Sequence, residues 1–327
     1  MNLELKYGLN EKRTLANLAL MSVLFSGVAI FVGEIFMPIA AAYFSALAIF
    51  DRTKKHALSL SAGVLILVIN VLGIVFTGYI SLAGVMVVAV SAVIAFYVLN
   101  GRSKNECVFV VTAIFTLLLA ITFALVLMKE AGQFNFEAAK AVFDELYVSI
   151  RTGFVDSIGE MTSSLGDGTA DVLLSSEQVA QMFDMVANLL IAFVVIFAFA
   201  LAGFTFRGLN FVVTHNAVES QSFNEWRFLP PSIYGYFYVA LFVLSFFLQE
   251  TTVFSVTVNN LVYVFMAIFL YPGIKLTFAF LSTFRSRGFA YVAIIASLIL
   301  FSSVAIEFIS MVGVFFAANF KNRNSAV

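Results

Sequence analysis

The chain has 327 residues, of which 62% are apolar and only 11% charged, against roughly 25% charged in a soluble domain, so a water-soluble globule is excluded. A net charge of −1, from 18 Lys and Arg against 19 Asp and Glu, leaves no global basic field, and no nucleic-acid partner is expected. The single cysteine, Cys107, excludes an internal disulfide, and His56 and His215 stand at no familiar metal-ligand spacing, so neither metal nor cofactor is expected.

The mean hydropathy of +1.02 suits about nine apolar helices of about 20 residues, the length that crosses a hydrocarbon core roughly 30 Å thick. In chain order, a short charged stretch with Lys6, Glu11, Lys12 and Arg13 precedes the first apolar run. No small-residue cleavage site follows, so this run reads as a retained span rather than a signal peptide. Apolar runs fall at 15–33, 35–50, 57–76, 79–99, 107–128, 188–206, 233–249, 254–274 and 289–317, punctuated by Gly, Pro or charge. The second is only about 24 Å long as a helix, begins near Pro38, and is expected to be kinked or re-entrant. The third and fourth join around Thr77-Gly78-Tyr79, which makes them antiparallel neighbours.

The sequence therefore predicts an all-α fold, a polytopic transmembrane helix bundle of about nine spans with a small extracytoplasmic helical insertion. Spans 1–5 occupy residues 1–128, the acidic insertion 129–187, spans 6–9 residues 188–317 with an interfacial loop at 207–232, and a tail 318–327. Thirteen of the 18 cations then fall on the side of the N-terminus, which the retention of Lys and Arg makes cytoplasmic in a bacterial plasma membrane. Lys321 and Arg323 would lie outside; an eight-span count would bring the tail inside.

The insertion is strongly acidic, with three cations (Lys129, Lys140, Arg151) against ten anions, a net charge of 3 − 10 = −7. Phe143, Tyr147, Ile150, Phe154, Ile158, Met161 and Leu165 recur every three or four residues, the period of one helix face. Gly166-Asp167-Gly168 ends that helix, and Ser175 with Gln178 has the form of a capping box opening a second helix that runs into span six. Asp167 and Asp171 lack the alternating ligands and closing Glu of an EF-hand loop, so a solvated acidic face is the better reading.

No nucleophile–base set and no H-E-x-x-H is present, and Gly203 to Gly208 continues with Leu209-Asn210 where a phosphate loop requires Lys and Ser or Thr. The chain is not expected to be an enzyme. The informative residues are those the membrane makes costly: Glu34, Asn70, Asn259, Asn260, Lys275 and Glu307. Counted along their spans, Glu34, Asn70, Asn259, Asn260 and Glu307 all fall in the outer leaflet, whereas Lys275 is an inner anchor. They form either an outward-facing polar pocket or helix-to-helix glue. In loop 207–232, Phe223, Trp226, Arg227 and Pro230 sit just ahead of span seven, where the Trp ring and Arg suit the lipid interface or a docking partner.

The motif Phe223-x-x-Trp226-x-x-x-Pro230, after five spans, an external amphipathic segment and a sixth span, resembles the YybS-like family of polytopic membrane proteins of the Firmicutes. The resemblance implies a remote similarity to the S components of energy-coupling-factor transporters, which bind small solutes from outside and rely on a separate ATPase module. It supplies no catalytic residue. The expected function is therefore solute binding or transport of a cationic or hydrogen-bond-rich ligand, with possible ATPase partners. The rival is a membrane scaffold for envelope or sporulation machinery.

Overall fold

The computed structural model describes residues 11–51, 56–164, 176–216, 228–248, 252–284 and 286–324, and among them the regular structure is wholly helical. In chain order these are α1 (Glu11–Phe31), a 3-10 turn (Glu34–Phe36), α2 (Met37–Phe50), α3 (Ala57–Thr77), α4 (Ala83–Leu99), α5 (Lys104–Glu130), α6 (Phe136–Ser164), α7 (Ser176–Asn188), α8 (Leu190–Asn216), α9 (Ser232–Ser245), α10 (Val253–Phe284) and α11 (Arg287–Asn324). Each of the nine apolar runs contains a helix. Five helices, α1, α3, α5, α8 and α10, are individually long and apolar enough to cross a membrane; α2, α4, α9 and the two apolar stretches of α11 are shorter.

Local chemistry sets the boundaries. Pro38 stands in the first turn of α2, where its missing N–H leaves no hydrogen bond unmade. Gly78, at φ +64°, closes α3 in the left-handed conformation and donates its N–H to the Ile74 carbonyl, as a helix C-cap requires. The Lys129 ammonium donates to the Gly78 carbonyl, tying the end of α5 to the α3–α4 turn. That end of the bundle, where α6 and α7 also sit, is the cap end.

The helices pack around two cores. One is built from α1–α5 and α8, with α2 in contact with α1, α4 and α8. Eleven of the 14 residues of α2 are buried, so this short helix is the centre of a six-helix body. It is a single unbroken helix of about 21 Å, and its enclosure explains how so short an element is accommodated. Its alanines narrow it enough for neighbours to approach: Gly208 of α8 faces Ala42, where an added Cβ would stand 3.0 Å away, and Ser91 Oγ donates to the Ala41 carbonyl at 3.0 Å. In lipid such close packing, not burial from water, holds helices together.

The second core joins α9, α10 and α11. Tyr238, fully buried, stacks on Phe269 at 6.1 Å and shares a hydrogen bond of 2.8 Å with Ser310 Oγ. Where α10 crosses α11, a Cβ on Gly273 would collide with the Ile309 carbonyl, and one on Gly313 with the Phe269 carbonyl. Glycine is required there because the two backbones touch. Phe199 of α8 and Phe228 pack against both cores and join them.

Two expected boundaries move. Residues 207–216 continue α8 as helix, because Leu209, Val212 and Val213 remain buried on the α8 stripe, so the connection to α9 begins after Asn216 rather than at 207. The insertion does contain two helices, but Ser175, Asp167 and Asp171 lie outside the described residues, as does most of the connection to α9.

Candidate functional site

Of the five outer-leaflet residues, Glu34 and Asn70 belong to one hydrogen-bonded chain in the six-helix body. Asn70, 3% exposed, donates from Nδ2 to the Ser81 carbonyl at 3.0 Å and accepts the Gly84 N–H on Oδ1 at 2.7 Å. Ser81 Oγ donates to Glu34 Oε1 at 2.9 Å and accepts the Ala83 N–H at 3.2 Å. The arrangement satisfies two of the orphan N–H groups that open α4. Gly84 has no room for a side chain, since a Cβ would lie 2.7 Å from that of Asn70. These bonds tie α3 and the 3-10 turn to the start of α4.

Asn260, on α10, has the same role in the second core. Its Nδ2 donates to the Asn188 carbonyl at 2.7 Å and to Val256 at 2.8 Å, and its Oδ1 accepts the Ala192 N–H at 2.8 Å. Asn188 and Ala192 are the acceptor and donor that a continuous α7–α8 helix would pair. The carboxamide is inserted between them where the chain breaks at Leu189, and it satisfies both groups.

Asn259 and Glu307 are different. They are half-buried, and among the described residues neither side chain has a hydrogen-bond or ion-pair partner. Both line a cavity of about 960 Å³ walled by α7, α9, α10 and α11. Gln178, Gln181 and Asp184 of α7 supply further polar groups, while Met182, Met185, Phe242, Tyr263 and Met266 supply apolar surface. No described Lys or Arg lines the cavity, so its charged groups, Asp184 and Glu307, are both acidic. The five residues therefore do not share one pocket: two line this cavity, Asn260 braces its wall, and Glu34 and Asn70 lie in the other core.

Asp184 also links α7 to α6. Tyr147 Oη donates to its Oδ1 at 2.6 Å, and Arg151 Nε contacts the same oxygen at 3.2 Å. The Tyr147 hydrogen bond first, then that from Arg151, hold the carboxyl below its ordinary value of 3.8 against opposing desolvation. The Tyr147 hydroxyl is raised by desolvation and then by its bond to Asp184. Phe154 and Phe183, 5.2 Å apart, extend the same contact.

At the opposite end, Asn105 Oδ1 accepts the Leu229 N–H at 2.8 Å, and Phe228 packs on Phe109 and Phe199. Pro230 is buried, so the described end of the connection is turned into the protein. Phe223, Trp226 and Arg227 lie outside the described residues. Cys107 is buried, and among the described residues no group of three His, Cys, Asp or Glu is placed to hold a metal.

Sequence reasoning missed Ser81, Asn105, Gln181 and Asp184. Ser81 carried a signal, lying next to a short inter-helix turn where N-caps concentrate. Asp184 had only its place in the acidic segment.

A family model described as predicted membrane protein (DUF2232) matches residues 14–315, and the chain belongs to that family. No curated protein and no solved structure matches it.

Proposed function

We propose that this membrane protein binds a small solute at the cavity walled by α7, α9, α10 and α11, without catalysing a reaction. One observation carries the reading: Asn259 and Glu307 present polar side chains, without partners among the described residues, into a space large enough for a small molecule, where pockets of about 300–1,000 Å³ are the rule. A carboxylate at membrane depth seeks a cation or a proton, and the absence of lining Lys or Arg among the described residues favours a cationic, hydrogen-bond-rich ligand with an apolar part to meet the methionines and Phe242. The six-helix body around α2 has as many helices as S components have spans, but the cavity lies outside it, on α7 and α9–α11. Any ATP coupling would come from partner subunits.

In this reading all nine apolar helices cross the plasma membrane, the N-terminus is cytoplasmic, and the cap end faces outward. Thermal unfolding of the purified chain against size-matched cationic, neutral and anionic solutes tests the binding. Stabilisation by cationic solutes that disappears in Glu307→Gln is the expected result. An unchanged melting temperature with every charge class, or a response that survives Glu307→Gln with Asn259→Ala, overturns it.

A membrane scaffold is the second reading, favoured by α6, on which Leu146, Val148, Ile150 and Phe154 are each about half exposed. Cross-linking in native membranes separates the two: ATPase subunits support transport, whereas wall-synthesis or division proteins support a scaffold.

A further inference from the structure

α7 stands between two neighbours. Gln178, Gln181, Met182, Met185 and Asn188 line the cap-end cavity, and they recur at the three- and four-residue steps of one helix face. Phe183 falls on the opposite face and packs on Phe154 of α6. Asp184 lies on the flank between the two: it lines the cavity and also accepts hydrogen bonds from Tyr147 and Arg151 of α6. One side chain thus holds α7 against α6, while the face beside it looks across the cavity to α9, α10 and α11.

The foot of α7 is a hinge. In an unbroken α7–α8 helix the Asn188 carbonyl would accept the Ala192 N–H, whereas here Asn260 of α10 takes both groups. A backbone rung fixes the angle between the turns it joins, but a carboxamide turns about its own side-chain bonds and can follow a change in that angle. Leu189, at the break, donates its N–H to the Met185 and Val186 carbonyls, each at 3.1 Å, so the last turn of α7 closes on itself. From Leu189 to its far end α7 is about 20 Å long, and a rotation of about 10° at the hinge carries that end about 3 Å.

The hold on α6 is weak, and the far side of the cavity is attractive. The Arg151 and Asp184 side chains are 37% and 53% exposed, a setting in which an ion pair adds little. At the mouth, Met182 and Met185 of α7 are each more than half exposed, and so is Phe246 of α9, which lines the cavity opposite them. α7 belongs to the acidic insertion rather than to an apolar run, so its methionines meet water. Closing the mouth would take that apolar surface out of water.

We propose that α7 is a lid over the cap-end cavity, hinged at Leu189, held open by the bonds from Tyr147 and Arg151 to Asp184, and closing toward α9 and α11 when those bonds are released. The inference rests on the solute reading of the cavity, but no solute enters its test, so failure of the lid and failure of the binding site are told apart.

Nitroxide pairs on the purified full chain, in a Cys107→Ser background, read the motion by pulsed electron paramagnetic resonance. The pair Glu177→Cys/Val253→Cys spans the mouth from exposed sites outside the lining. Tyr147→Phe/Arg151→Gln removes both bonds without touching the lining and shortens that distance by about 3 Å or more. Arg151→Lys keeps the wild-type distance. The pair Ile191→Cys/Val253→Cys, with Ile191 just below the hinge, stays constant in every chain, and so does Glu177→Cys/Val186→Cys within α7. An unchanged or longer distance across the mouth in Tyr147→Phe/Arg151→Gln overturns the proposal. So does a change at Ile191, which would put the motion below Leu189, or a broadened spacing within α7, which would mean that the helix melts instead of swinging.

Discussion

Asn70 and Asn260 do the same work on two different helices: each carboxamide accepts an N–H from the first turn of the helix that begins beside it, and donates to a carbonyl just ahead of that turn. For Asn70 the helix is α4; for Asn260 it is α8. A peptide group offers the same donor and acceptor, so in each case a side chain stands in for the backbone unit that the chain break removes. Such a clamp has particular value at membrane depth, where no water is present to satisfy an orphan N–H.

Substituting either asparagine should therefore act on stability rather than on ligand recognition. Asn260→Ala leaves the Ala192 N–H and the Asn188 carbonyl without their clamp, a loss of about 1–3 kcal/mol for buried groups left unpaired. Asn259→Ala, one residue away, should leave unfolding in detergent almost unchanged, because that side chain has no partner among the described residues to lose. Equal destabilisation by both substitutions would remove the distinction drawn between glue and cavity.

That distinction marks the limit of the sequence. Asn259 and Asn260 are adjacent, equally polar and equally deep in an apolar run, and only the positions of Asn188 and Ala192, 68 to 72 residues away, separate their roles. Hydropathy made the helices legible because lipid imposes one composition on all of them. For the same reason it hid the place of α2, whose alanines and phenylalanines read like those of a lipid-facing helix. Glu307 meets the cavity through the register of α10 on α11, which depends on Gly273 and Gly313. Nothing in the sequence pairs Gly313 with Phe269 or Gly273 with Ile309.

The Gly313–Phe269 contact is open to direct test. Gly313→Val places a branched side chain against the Phe269 carbonyl, and the helices must part. Overpacking of this kind typically loses at least about 1–3 kcal/mol, and here it should also open the cavity wall. Gly203→Val on α8 is the control, since nothing lies within 4 Å of a Cβ there. Thermal unfolding of the two variants should differ clearly; matching curves would show that α10 and α11 do not touch at glycine.

Acid should loosen the contact between α6 and α7. The Asp184 carboxyl is depressed in the folded chain, so its stabilising contribution is present above the ordinary carboxylate value and is lost as pH falls through the folded value. The contact is thus intact at neutral pH and weakens below about pH 4. Hydrogen exchange of α7 amides should rise across that window in the wild-type chain. In Asp184→Asn the exchange should already be raised at neutral pH and should change less with acid; an identical pH profile in the two chains would show that another group governs the contact.

Orientation fixes which side the cavity opens to, and labelling of single cysteines in a Cys107→Ser background settles it. Cys107 is buried and makes no disulfide, so its replacement should be silent apart from a small loss of packing. Consecutive apolar helices alternate in direction if each crosses the membrane, and one side therefore determines all the others. With the N-terminus inside, sites at 55, 103 and 218 are shielded from a membrane-impermeant reagent in intact cells, and a site at 165 is labelled. A site at 325 is labelled with nine crossings and shielded with eight. Labelling at 55 or 103 together with protection at 165 would turn the protein over, place Asn259 and Glu307 at the cytoplasmic side, and make any solute bound there one that the cell already contains.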